Sequence, residues 1–427
     1  MGVLAFVIGV LIVAVGLLVS IALHEIGHLV PAKRFGVRVG QYMVGMGRTA
    51  WSKKVGETEY GIKWLPVGGY ISMAGMYPPR DGGKEPTGLF RTLVQDAQDA
   101  NEESRAGVEE SRTFAALPTG KRIIIMLGGP VMNLLIAVVL FTVLVSGIGV
   151  TQSTATVSTV SQCVLPAGTD QTECAADDPL SPAAEAGLLP GDTIVSVDGT
   201  AVTGFADASE IIRTHPDETV ELVVDRDGAE VALELTPVLA TNQYVDASGQ
   251  VVTGEVGFAG FSPTQERVRQ PLWAGTEAVF TQMGAVANVI LHLPQRLWET
   301  GVDLFTGQER DPDSPISVIG VGRIAGEVAA AEAPLLDRAA VMIQIVASVN
   351  VALFAFNMIP LLPLDGGHIF VALWDAVKRG WARLFRRPKP RPADASRLVP
   401  LTLVVVVLMI GMSALLFAAD IFNPVTL

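Results

Sequence analysis

The motif His24-Glu25-Ile26-Gly27-His28 closes a run, residues 1–23, that carries no charged side chain. An apolar helix needs ~20 residues to cross a bilayer, so the motif falls where a spanning helix ends. Histidines at i and i+4 lie on one helical face and can share one metal ion, with the intervening Glu25 beside it. H-E-x-x-H also occurs in soluble helices whose histidines simply face solvent. At the end of a membrane helix no solvated face is freely available, and ionisable groups there are costly and usually functional. A catalytic zinc site keeps three protein ligands and an open position, so the pattern asks for a third ligand elsewhere.

Charge orients the chain. The 427 residues are 50% hydrophobic with a net charge of −13. Apolar spans recur at 123–150, 339–360 and 399–419, which with residues 1–30 predicts a polytopic α-helical membrane protein of about four transmembrane helices. The first span is too long for a signal peptide and lacks a basic start and a small-residue cleavage site, so it is read as retained. Residues 151–270 hold 4 basic and 19 acidic side chains, net −15; residues 31–122 hold 14 and 10, net +4; residues 378–397 hold 8 and 1, net +7. Cytoplasmic loops carry the Lys/Arg excess. Residues 31–122 and the basic loop 378–397 are therefore expected in the cytoplasm, and 151 to about 335 outside. The acidic outer segment argues against a nucleic-acid partner. Both cysteines, Cys163 and Cys174, fall in that outer segment, where a disulfide between them is expected.

Within the cytoplasmic segment, residues 58–73 alternate weakly around Pro66, Gly68 and Gly69, which predicts a membrane-associated β-hairpin or edge strand. Residues 81–111 are polar and acidic and read as a mobile loop. Gly128-Gly129-Pro130 permits close helix approach, and Asn133 beyond it, if buried, needs a partner, read as a helix–helix hydrogen bond. Outside, Asp227-Gly228 between two alternating runs marks a hairpin. The stretch from Ser181 to Val202, with its A-G-L-x-x-G-D-x-I-x-x-V-x-G pattern, resembles a bacterial PDZ domain, and one such inserted β-rich domain is assigned to residues 155–240. Residues 271–305 suit an amphipathic or interfacial helix interrupted at Pro294.

The third span runs into Asn357-Met358-Ile359-Pro360-Leu361-Leu362-Pro363-Leu364-Asp365-Gly366-Gly367-His368, so residues 339–368 form one unit. Its prolines break the helix, and irregular backbone at membrane depth is tolerated only beside protein or a water-filled cavity. The pattern predicts Asp365 on a rigid, non-helical stretch, where a carboxylate asks for a cation; its other use is as a helix cap. His24, His28 and Asp365 all end on the cytoplasmic side in the charge-derived topology, and two histidines, one aspartate and water make a reasonable catalytic zinc set. His368 is read as either supporting a ligand or structural, since a fourth ligand would close the site. Asn357 either caps the broken helix or binds substrate backbone.

HEIGH near the N-terminus, a PDZ-like insert between the second and third spans, and N-x-x-P-x-x-P-L-D-G-G together resemble the site-2 protease family. The resemblance covers nearly the whole chain and is to the bacterial branch with an N-terminal catalytic span, the regulator-of-sigma-E protease type, here with one PDZ domain where some relatives have two. Gly129-Pro130-x-x-Asn133 and Ser314-Pro315-Ile316-Ser317 share in it. The resemblance implies a multi-pass protein of the bacterial inner or plasma membrane that cuts the transmembrane segment of a single-span protein. The implied substrate is an anti-sigma factor already cleaved outside the membrane. Zn2+ on His24, His28 and Asp365, with Glu25 as general base, is the chemistry that fits the residues. Asn357 would fix the unwound substrate backbone. A membrane metal transporter and a non-enzymatic membrane-anchored PDZ adaptor are the rival readings.

Overall fold

The computed structural model describes residues 2–77, 89–164, 174, 178–245, 251–311, 314–388, 393 and 398–425. Among these, four helices are long and apolar enough to cross a membrane: α1 (Gly2–Arg34), α3 (Thr119–Thr142, extended by a π-helical turn to Ile148), α9 (Leu335–Asn357) and α11 (Val399–Phe422). The expected polytopic architecture with an inserted β-rich segment is therefore observed. The chain divides into two compact units, residues 149–270 and the rest.

In the helical unit α1 packs on α3, on α9 and on a further helix, α8 (Val318–Ala330). A Cβ on Gly27 or Gly128 would overlap the backbone of the facing helix. Backbone contact between α1 and α3 thus depends on the absent side chains, as in other small-residue helix interfaces. Asn350 of α9 donates to Ser20 Oγ of α1 at 2.9 Å, both fully buried. The same amide also donates to the Val346 carbonyl at 2.8 Å, so both of its bonds are internal, as a setting without water requires. The segment containing Ser314–Ser317 is tied to the end of α11: buried Arg310 pairs with Asp420 at 2.7 Å, whose other oxygen accepts from the Ser317 and Gly320 amides.

Two long strand runs follow α1: β1 (Val39–Val55) and β2 (Thr58–Met73). Residues 41–44 have neighbours on both sides, Glu59–Ile62 in one register and Gly69–Ser72 in another. Leu29, Val39, Tyr42, Met73, Phe114 and Ile125 form the core between this sheet, α1 and α3.

Several expectations are refined or replaced. The acidic stretch is not a loop throughout: Leu89–Arg105 is helix α2, docked by a pair of hydrogen bonds between Asn101 and the Tyr77 backbone; residues 81–88 lie outside the described residues. The segment after the second unit is two helices, α6 (Ala274–Leu291) and α7 (Leu293–Thr306), meeting at His292, with Pro294 in the first turn of α7, where a missing N–H costs nothing. The basic run from Lys378 begins as helix, because α10 extends from Asp365 to Leu384. Its buried face packs on α3 and carries the Arg122–Asp375 pair at 3.1 Å. Burial of that face stabilises α10 as a helix, a term that local composition does not report.

The second unit has a sheet of order β10-β3-β4-β6-β7, with β5 on β4. The strands are β3 (Val150–Val160), β4 (Thr193–Val197), β5 (Thr200–Ala201), β6 (Val220–Arg226), β7 (Ala229–Leu235) and β10 (Phe261–Val268). Helices α4 (Pro182–Glu185) and α5 (Phe205–Thr214) accompany it, and β8 (Val238–Val245) pairs with β9 (Val251–Phe258) in a separate hairpin. Asp227 and Gly228 both adopt positive φ, as the tight hairpin between β6 and β7 requires. The core is Val157, Leu188, Ile194, Val197, Ile212, Leu222 and their neighbours. Buried Asp192 accepts two hydrogen bonds of 2.7 Å from Arg226 and one from the Leu189 amide. These hold its carboxyl below the usual carboxylate range. The tie is thus present at neutral pH and is lost as pH falls through that lowered value. The unit closes well past residue 240, because β10 returns to pair with β3. Cys163 and Cys174 form a disulfide with Cα atoms 5.9 Å apart.

Candidate metal centre

Three side chains from two distant parts of the chain converge at the end of α1. His24 and His28 face the same way by helical periodicity, and Asp365 is the first residue of α10. The distances are 3.2 Å between the two Nε2 atoms, 3.4 Å from His24 Nε2 to Asp365 Oδ2 and 3.3 Å from His28 Nε2 to the same oxygen. A tetrahedral site with bonds of ~2.0–2.1 Å has ligand atoms ~3.3–3.4 Å apart, so the three donors already stand at the spacing of one tetrahedral face.

The donor chemistry fits a cation as well. His28 Nδ1 donates to the Ile125 carbonyl at 2.7 Å, since that oxygen can only accept. This fixes the tautomer and leaves Nε2 as a bare lone pair. Asp365 Oδ2 is buried and finds no hydrogen-bond donor among the described residues. Acceptors facing one another at this distance repel unless a cation lies among them. These three are also the one group of metal-ligating side chains found among the described residues.

Asp365 departs from expectation in one respect. It opens a helix instead of standing on irregular backbone. The turn at 358–362 folds back so closely that a Cβ on Gly366 or Gly367 would overlap it. With those glycines the next helix starts at once, and a carboxylate in a first turn is favoured by the helix dipole. Leu364 caps this helix without a side-chain bond, so Asp365 is not the cap.

Glu25 is buried on α1 within electrostatic reach of His28, His24 and Asp365. Gly69 of β2 lies against it: a Cβ there would stand 3.0 Å from Glu25 Cγ. Residues 69–72 pair with β1 on one side, and on the other they have no strand partner among the described residues. An open backbone edge therefore runs past Glu25. Asn357 is the half-buried last residue of α9, and the structure does not join it to the three donors by a hydrogen bond. His368 lies one turn along α10 from Asp365, outside the donor group, and lines a hollow with Ile71, Met76 and Asn101.

Asn133 is expected to form a helix–helix hydrogen bond. The structure puts its amide 3.2 Å from His24 Nδ1, with the residue 1% exposed. With Nδ2 toward the ring, Asn133 Oδ1 is buried without a partner. A half-turn of the amide lets Oδ1 accept from Nδ1–H and leaves His24 Nε2 bare for a metal, the outer-shell arrangement usual for ligating histidines. The spacing of Asn133 from Gly129 hinted at this, since Gly129 is where α3 passes over both imidazoles; the Ile125 carbonyl, a backbone group, gave no signal. Asn133→Leu, close in shape, is expected to weaken zinc binding ~10–100-fold, whereas Asn133→Asp, which still accepts, retains it. Competition against a chromophoric chelator measures both, and unaltered affinity in the leucine variant would remove Asn133 from the site.

Known proteins resemble this chain over most of its length. The profile of Peptidase family M50 matches residues 12–387. The chain is 31% identical to the zinc metalloprotease Rip1 of Mycobacterium tuberculosis over 441 residues, covering 99% of both chains. It is 31% identical to Rip1 of Mycolicibacterium smegmatis, again covering 99% of each. With the metalloprotease MmpA of Caulobacter vibrioides the identity is 28%, covering 87% of this chain and 88% of the relative.

Proposed function

From the premise that the chain belongs to Peptidase family M50, we propose that it cuts a single-span membrane protein within its transmembrane segment, with His24, His28 and Asp365 as metal ligands and Glu25 as general base. It is an intramembrane zinc metalloprotease, which sets aside the transporter and adaptor readings. When bound, zinc supplies Lewis-acid polarisation of the scissile carbonyl and makes water a stronger acid. The chain's own groups do the rest. Glu25 takes a proton from the attacking water and delivers it to the leaving amine. Asn133 and the Ile125 carbonyl hold the imidazoles in the ligating tautomer. The free edge at residues 69–72 pairs with substrate backbone by strand addition, which offers an unwound helix replacement hydrogen bonds beside Glu25, and Asn357 fixes that backbone further along.

The observation that supports this reading is the gathering of three donor atoms, His24 Nε2, His28 Nε2 and Asp365 Oδ2, at the end of a spanning helix, with Glu25 of that helix against Gly69 of β2. An anti-sigma factor already trimmed outside the membrane is the substrate the site-2 protease resemblance suggests. The unit at residues 149–270, read as a PDZ domain, would then filter out uncut substrates. Fragment proteomics of membranes from wild-type and Glu25→Gln cells tests the substrate class. Fragments ending inside predicted spans should be present only in wild type; identical fragment sets would refute intramembrane cleavage.

The charge asymmetry supports a cytoplasmic-side site with residues 149–270 outside. In a background lacking Cys163 and Cys174, a cysteine replacing the exposed Ser161 should react with an impermeant thiol reagent in intact cells, and one replacing the exposed Lys54 should not. The reverse pattern would overturn the orientation.

A further inference from the structure

Helix α10 leaves the metal centre with an apolar stripe that no described part of the protein covers. Phe370, Leu373, Trp374, Val377, Trp381 and Leu384 recur at helical spacing, and each is 48–75% exposed. The opposite face, with Ile369, Ala372, Asp375 and Ala382, is buried. The helix is not among the candidate membrane spans, and its Asp375, Lys378, Arg379 and Arg383 explain why. A helix with Trp, Phe and Leu on one face and basic side chains beside it lies in the plane of a membrane surface. Packing on the spanning helix α3 makes that surface continuous with the lipid around α3.

The C-terminus of α10 adds a second feature. Arg386 takes a left-handed conformation, φ +50, and the Arg387 amide bonds back to the Ala382 carbonyl at 2.7 Å. That conformation is costly for a residue with a Cβ, and it folds the chain back over the last turn. The result is a pocket of about 400 Å³ lined by Trp374, Val377, Trp381 and Pro388 together with Lys378 and Arg387. Lys378 already pairs with Asp375 at 3.3 Å, which presets its ammonium beside the pocket. Apolar walls with two cations suit an amphiphile whose head is anionic.

We propose that this pocket and the adjoining stripe bind an anionic glycerophospholipid, its phosphate between Lys378 and Arg387 and its acyl chains along Trp374, Val377 and Trp381. The occupant is lipid, not free phosphate and not a second copy of the chain, because the apolar stripe is several turns long and joins a spanning helix.

The test uses the full chain in nanodiscs of phosphatidylcholine containing equal mole fractions of either brominated phosphatidylglycerol or brominated phosphatidylcholine. Subtracting the fluorescence of a Trp374→Phe/Trp381→Phe variant isolates the two rings. Brominated phosphatidylglycerol should quench them at least about fivefold more effectively, the gain expected for one basic side chain near an anionic surface. Lys378→Gln/Arg387→Gln should abolish that preference with bound zinc unchanged, and Lys378→Arg/Arg387→Lys should keep it. Inorganic phosphate at matched ionic strength should not relieve the quenching. Equal quenching by the two lipids, no quenching by either, or displacement by phosphate would each overturn the proposal.

Discussion

Purified Glu25→Gln protein is expected to hold zinc as wild type does, to fold normally, and to cut substrate ~10²–10⁴-fold more slowly, the usual contribution of a general acid–base group. On α1 the residue projects ~100° from His24, which takes it off the ligand face while keeping it beside the site. Glutamine preserves its size and hydrogen bonding but cannot accept the proton at neutral pH. The variant should therefore capture uncleaved substrate in a pull-down. Elemental analysis and single-turnover cleavage on the same sample separate binding from chemistry. Near-normal turnover with zinc bound would remove Glu25 as the base and leave the metal assignment standing.

Asp365→Ala should have the opposite signature, with metal and activity lost together. Removing an outer-shell partner alone costs ~10–100-fold in affinity; removing a ligand from a three-ligand site should cost more than the upper end of that range. Neither Asn357 nor His368 is placed in the donor group to substitute for it. His24→Ala and His28→Ala should behave likewise. Zinc content after dialysis against a chelator, measured beside wild type, checks all three. Full occupancy in Asp365→Ala would exclude that residue from the site while leaving the histidine pair in question.

Features encoded over a few residues were legible in the chain alone. The i, i+4 histidines share a face because a helix turns every ~3.6 residues, and apolar length alone marks α1, α3, α9 and α11 as able to cross a membrane. Asp227-Gly228 specifies its own turn by steric rules local to two residues. Proline and glycine after α9 signalled that the helix ends, and a carboxylate at that point suggested a cation.

The partners of those features were decided only by packing. Whether Asp365 reaches His24 and His28 depends on α1 and α3 meeting at Gly27 and Gly128 and on α10 starting against the 358–362 turn at Gly366 and Gly367, with no room for a Cβ at any of them. The same contact brings Asn133 to His24 and the Ile125 carbonyl to His28. In the sequence, Asn133 is one polar residue in an apolar helix, and a carbonyl has no sequence signature at all. Helices α8 and α10 lack the uniform apolar length that betrays a span, and their helicity is stabilised by burying one face against distant elements. The return of β10 to β3 follows the same logic, since it pairs strands about a hundred residues apart and no local pattern carries the register. Local periodicity determined which elements exist and which side chains share a face. The tertiary structure decided which faces meet, because that depends on steric fit between residues far apart in the chain.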